Sequence, residues 1–128
     1  MSKFSVGQVW EYRTRADEGG SRVRVLRVDE TGYAGVIVHV SVDGLSIRDP
    51  SGPDRPMQTI GFMPIAEAEL DASVTRLVAD GAGFVPSADF EEGYAGWREG
   101  FDAGKAGFWT VPVAEVVQAV ADGMRRTK

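Results

Sequence analysis

An α+β fold is predicted for this chain: a curved antiparallel sheet of about five strands from residues 4–63, covered on one face by three helices from residues 65–126. Three observations carry the prediction. Period-two alternation marks the N-terminal half, most clearly where Val36, Val38, Val40 and Val42 fall on one side and Ile37, His39 and Ser41 on the other. Helical spacing marks the C-terminal half, where Phe90, Tyr94, Trp97 and Phe101 recur at intervals of four, three and four. A β-rich run followed by a helical run implies segregated layers, and 128 residues suit one domain spanning 1–128.

The first strand is predicted over Val9–Thr14, with Trp10, Tyr12 and Thr14 on one face and Glu11 and Arg13 on the other. Gly7 marks a bend before it, and Asp17-Glu18-Gly19-Gly20 a turn after it. A second strand runs from Ser21 to Asp29, with a bulge near Val25 or Leu26 needed to keep its apolar residues on one side. The turn suggests a register pairing Arg13 with Arg24 and Arg15 with Arg22. Tyr33–Val42 reads as a central strand because both faces are apolar at its middle. Asp43-Gly44 reads as a hairpin turn, with Leu45–Arg48 returning.

Asp49–Pro56 holds three prolines and one glycine and is expected as a loop. Met57–Met63 follows as a strand ended by Pro64. A helix is expected from Ala66 to Asp80, burying Leu70, Val74, Leu77 and Val78 and stopped by Gly81 and Gly83. A second helix opens at Asp89, as an N-cap with Glu92 completing a capping box, and ends near Gly107. After a short extended piece, Phe108–Val111, Pro112 opens the last helix, which buries Val113, Val116, Val117, Val120 and Met124 and places Arg125, Arg126 and Lys128 at its C-terminal dipole.

The middle helix is unusual in carrying Gly93, Gly96, Gly100, Gly104 and Gly107 as a stripe beside its aromatic residues. Each helical glycine costs roughly 0.8–1 kcal/mol relative to alanine. Such a stripe is expected to admit the close approach of another backbone, within the fold or outside it, or of a flat ligand.

Composition narrows the function. At 43% apolar and 26% charged the chain is globular material, and it contains no apolar run long enough for a membrane span. Zero cysteines exclude thiol chemistry and fit a reducing compartment, so a cytoplasmic location is expected, the N-terminus having no apolar signal core. A net charge of −5 makes nucleic acid an unfavourable partner. Charge is unevenly spread: residues 1–30 carry six basic and five acidic side chains, residues 65–102 two basic and nine acidic. That asymmetry can dock one half onto the other or recruit a partner.

Two groups of candidate binding residues emerge. Arg13, Arg15, Arg22 and Arg24 would share a sheet face in the predicted register, and like charges across a ladder call for anions, from the protein's own carboxylates or from a ligand. His39, the only histidine, sits beside Ser41 and could serve as a base or as a hydrogen-bonded structural residue, while Tyr94 and Trp97 would wall a site between sheet and helix. No catalytic motif, metal-ligand spacing or cofactor fingerprint is present, so neither catalysis nor a cofactor or metal is expected.

The segments VGQVWEYRTR, IVHVSVDGL and DFEEGYAGWREGFDAGKAGFWTVPVAE together resemble an uncharacterised family of small bacterial cytosolic proteins. The resemblance covers nearly the whole chain and implies a bacterial, cytosolic, single-domain protein, but it carries over no catalytic residue, substrate or cofactor. The opening Gly7-Gln8-Val9-Trp10 is similar to the first strand of many SH3-like barrels. The expected function is a non-enzymatic binding or interaction protein, of accessory or immunity type, with a protein partner or a homodimer as its assembly. The alternatives are a site for a small anionic ligand or a minor enzyme between the sheet and the glycine-rich helix, and an RNA-binding module.

Overall fold

The computed structural model describes residues 3–32, 34–47 and 58–126, the last three of these as backbone only. The elements in chain order are β1 (Val9–Tyr12), β2 (Arg22–Thr31), β3 (Gly35–Asp43), β4 (Ile60–Ala66), α1 (Glu67–Ser73), β5 (Val74–Ala79), α2 (Ala88–Asp102) and α3 (Val113–Arg126). The five strands form one sheet in the order β4-β3-β2-β1-β5, and every neighbouring pair is antiparallel. The α+β class expected from the pattern is the one the chain adopts.

β3 lies inside the sheet because it is apolar on both sides, and Ile37, Val38, His39, Val40 and Val42 are all fully buried. Its even-numbered valines join Val23, Val25, Met63 and Ile65 in the main core, against Leu70 of α1 and Val113, Val116 and Val117 of α3. The β2–β3 register slips between Val25 and Arg27, which is the bulge the apolar pattern required: it keeps Val25 and Val28 on the core side and sends Arg27 and Asp29 to the other.

That other side is not bare. His39, on the odd-numbered face of β3, contacts the rings of Tyr94 and Trp97, so α2 lies across the sheet from α1 and α3. The helices therefore split between the two faces rather than sharing one. A central strand with two apolar faces demands cover on both.

Four local expectations are corrected. The helix expected over 66–80 stops at Ser73, and the chain continues as β5. Ser73 Oγ donates to the Glu69 carbonyl and accepts from the Val113 N–H, tying the helix end to α3. The β-branched residues Val74, Thr75 and Val78 then complete the sheet beside β1. Leu77 and Val78, expected inside, are 41% and 45% exposed.

Pro64 lies within β4 instead of ending it. Its carbonyl accepts from the Trp109 N–H, so the side lacking an N–H faces the outer edge, where the sheet has no strand to satisfy. Beyond Asp43-Gly44 the described residues Leu45–Ile47 do not form a strand; Ile47 is a lone bridging residue and is buried with Leu45. Finally, α2 starts at Ala88 with Ser87 as its cap, accepting from the Phe90 N–H, and ends at Asp102, where Gly104 takes the left-handed conformation at φ 73°. Tyr33, Arg48, the Asp49–Pro56 loop, Met57, the side chains of Met124, Arg125 and Arg126, and Lys128 lie outside the described residues.

Candidate functional site

His39, Tyr94 and Trp97 do come together. The His39 ring stacks on Phe62 of β4 at 5.5 Å between centroids and meets the edges of Tyr94 at 5.0 Å and Trp97 at 4.7 Å. Asp29 of β2 joins them. Its Oδ2 accepts from His39 Nε2–H at 2.9 Å and from the Tyr94 hydroxyl at 2.8 Å, and its Oδ1 accepts from Arg27 Nε at 3.1 Å. Arg27 also lies over the Tyr94 ring at 4.3 Å, and Arg98 of α2 stands 3.7 Å from Oδ2.

The electrostatics follow from burial. Burial by itself would raise the Asp29 carboxyl, but the hydrogen bonds from Tyr94, Arg27 and His39 outweigh it and hold the group below the usual carboxylate range. Burial pushes the His39 imidazole below the usual histidine range, against the opposing pull of Asp29 and with help from Arg27 and Arg98. In its neutral form His39 carries its proton on Nε2, toward Asp29, and among the described residues its buried Nδ1 has no hydrogen-bond partner. Enclosed by Phe62, Tyr94 and Trp97, this histidine acts as a bolt between sheet and helix.

The four arginines do not face one another. β1 pairs with β2 through Val9–Arg24 and Trp10–Val23, and it ends at Tyr12, so Arg13 and Arg15 do not pair with β2. The loop between the strands wraps instead around Glu18, which is 2% exposed. Arg15 grips the Glu18 carboxylate through Nε at 2.9 Å and Nη2 at 2.8 Å, and the Ser46 N–H donates to it at 2.8 Å. The bidentate arginine holds the Glu18 carboxyl below its usual range despite burial. Arg13 donates to the Ala72 carbonyl, Arg22 pairs with Glu11 at 3.1 Å, and Arg24 donates to the Gly7 carbonyl at 2.9 Å while covering the Phe84 ring. Each therefore has a partner within the chain.

The glycine stripe is placed differently from the expectation of close packing within the fold. Beyond its chain neighbours and the backbone of α2 itself, a Cβ built on Gly93 or Gly96 would meet no heavy atom within 4 Å among the described residues, although both glycines lie inside α2. Only Gly100 is approached, by the Ala106 Cβ at 3.1 Å. Beside Gly93, a groove of about 320 Å³ runs between β4 and α2, lined by Gly61, Phe62, Ser87, Asp89, Phe90 and Gly93. Helical spacing puts Asp89 on the same side as Gly93 and Gly96, with Glu92 at the flank of that stripe and Glu99 turned further round toward the face opposite the aromatic residues. Among the described residues, none of those three carboxylates makes an ion pair; the ion pairs of α2 run from Arg98 to Asp102 and Asp29. The acidity of this helix is thus not spent on the N-terminal arginines.

Sequence reasoning singled out His39, Tyr94 and Trp97 but missed Asp29, Arg27, Phe62 and Gly61. Asp29 closes the predicted second strand; the strand in fact continues to Thr31, and once the bulge is counted Asp29 falls on the face of His39. The alternation of Arg27 and Asp29 beyond the bulge was the available signal. Among the described residues no cluster of histidine and carboxylate side chains has the arrangement of a metal site, and no helix is long and apolar enough to cross a membrane. Comparisons of the chain with family models, with curated proteins and with solved structures returned no match.

Proposed function

We propose that this chain is a non-catalytic binding protein whose groove between β4 and α2 receives a basic segment of a protein partner. The observation that carries the reading is the pair Gly93 and Gly96, mid-helix glycines that no other part of the described fold approaches. Each costs helix stability with no internal packing in return, whereas a partner backbone resting on them would use the missing side chains. The rim chemistry supports a cationic visitor. Asp89 lines the groove and Glu92 flanks the glycine stripe, and the groove floor offers the rings of Phe62 and Phe90 to the alkyl stem of a lysine or arginine. An accessory or immunity-type role, in which an acidic protein covers a basic surface, fits this geometry.

The test uses the tagged chain as bait in extract of its native cell. Wild type should return one dominant protein with a basic segment. Gly96→Leu and the pair Asp89→Lys/Glu92→Lys, each checked to remain folded by its cooperative unfolding transition, should lose it. Return of the bait alone, or retention of the partner by both variants, overturns the reading.

A further inference from the structure

The sheet has two edges, and the chain treats them oppositely. β4 is closed off by the segment before α3: Ala66 N–H donates to the Trp109 carbonyl, Trp109 N–H donates to the Pro64 carbonyl, and Ile65 bridges Trp109 in parallel. β5, at the other end, pairs only with β1 among the described residues, and Thr75 through Ala79 are exposed. Its register against β1 skips Thr75 and Val78, so those two residues have no partner on β1. Leu77 and Val78, both large and apolar, stand in solvent on this strand. An apolar strand with an unpaired edge is a template for strand addition.

We propose that β5 pairs antiparallel with β5 of a second copy about a two-fold axis at Val78. The strand's charges favour its own copy as occupant. With the axis at Val78, Arg76 of each chain lies across from Asp80 of the other, and Leu77 lies across from Ala79. Arg76 engages Glu11 through Nε and Nη2, and Asp80 uses Oδ1 for the Ala82 N–H, so Nη1 of Arg76 and Oδ2 of Asp80 remain for the partner copy. Trp109 covers the Pro64–Ala66 end of the β4 edge, and a two-fold pairing about Val78 uses the β5 edge of both chains, so this assembly closes at two copies instead of growing into a fibre. The two bulged positions keep the ladder short, which makes this a dissociable dimer rather than an obligate one. It uses a surface separate from the β4–α2 groove, so it stands or falls independently of the partner reading.

The experiment is sedimentation equilibrium of the full chain up to millimolar concentration. Wild type should be a reversible dimer. Asp80→Arg puts two arginines opposite each other, and Val78→Lys places a charge on the axis; each should weaken dimerisation by about tenfold or more. Arg76→Asp should do the same, and an equimolar mixture of Arg76→Asp with Asp80→Arg should restore a dimer, because each unlike pair is then complementary. Should Arg76→Asp fail to fold beside Glu11, the other two substitutions still decide the matter, since both are at exposed sites. A wild-type chain that stays monomeric throughout, or a dimer indifferent to Asp80→Arg and Val78→Lys, overturns the proposal.

Discussion

Replacing Gly93 and Gly96 with alanine should stabilise the protein. In both positions the new methyl group enters open space, so nothing in the fold opposes the helix preference for alanine. That preference is roughly 0.8–1 kcal/mol per site, giving about 2 kcal/mol for the double variant if the sites act independently. For a chain of this length the pair corresponds to a rise in unfolding temperature of about 5–10 °C. Gly100→Ala is the internal contrast. Its methyl would sit 3.1 Å from the Ala106 Cβ, in the turn where the Gly100 carbonyl accepts from the Lys105 and Ala106 N–H groups. Its gain should be smaller than at either open site, or become a loss. Differential scanning calorimetry and urea unfolding of wild type, the three single variants and the double variant measure this directly. Unchanged or reduced stability at both Gly93 and Gly96 would show that those positions are packed, and would remove the main support for a partner-facing stripe.

Two further outcomes test the buried network. Tyr94→Phe deletes the hydroxyl that donates to the Asp29 carboxylate; a hydrogen bond to a charged group contributes about 1.5–3 kcal/mol, and the loss should read near the lower end in urea because Tyr94 is only half-buried and water can reach it. Stability should also fall with acidification. The folded state binds the His39 proton less readily than the unfolded chain does, so the contribution of neutral His39 is complete above about pH 6.5 and is lost as pH drops toward its depressed folded value. Asp29, depressed in the same direction, removes a further share only below about pH 4. As the chain's only histidine, His39 gives one ring signal by NMR, and a titration above the ordinary histidine range would contradict the burial argument.

Much of this architecture was legible in the chain itself because it rests on local periodicity. The valines of β3, the bulge in β2 and the apolar side of α3 all follow from side chains that must leave water on one side of a regular backbone. His39 was visible as a candidate for the same reason: one imidazole on a strand with two apolar faces stands out. Its role was not visible. That depended on Asp29, Arg27 and Phe62 arriving from two other strands, and on α2 covering the second face of the sheet.

The segment 66–80 marks the boundary most clearly. Leu70, Val74 and Leu77 recur at helical spacing, while Val74, Thr75 and Val78 favour a strand, so local preference alone does not choose. The choice fell to the sheet: β1 needed a second neighbour, and Ser73, bonded to α3, ended the helix where pairing could begin. The arginine register failed in the same way, since Glu18 drew Arg15 into the loop at a distance no alternation pattern reports. Fold class, core strands and the glycine-rich helix are thus properties of the sequence read locally. Which face each helix covers, which edge stays open and whether a glycine meets anything at all are settled by contacts between distant residues, and only the tertiary structure decides them.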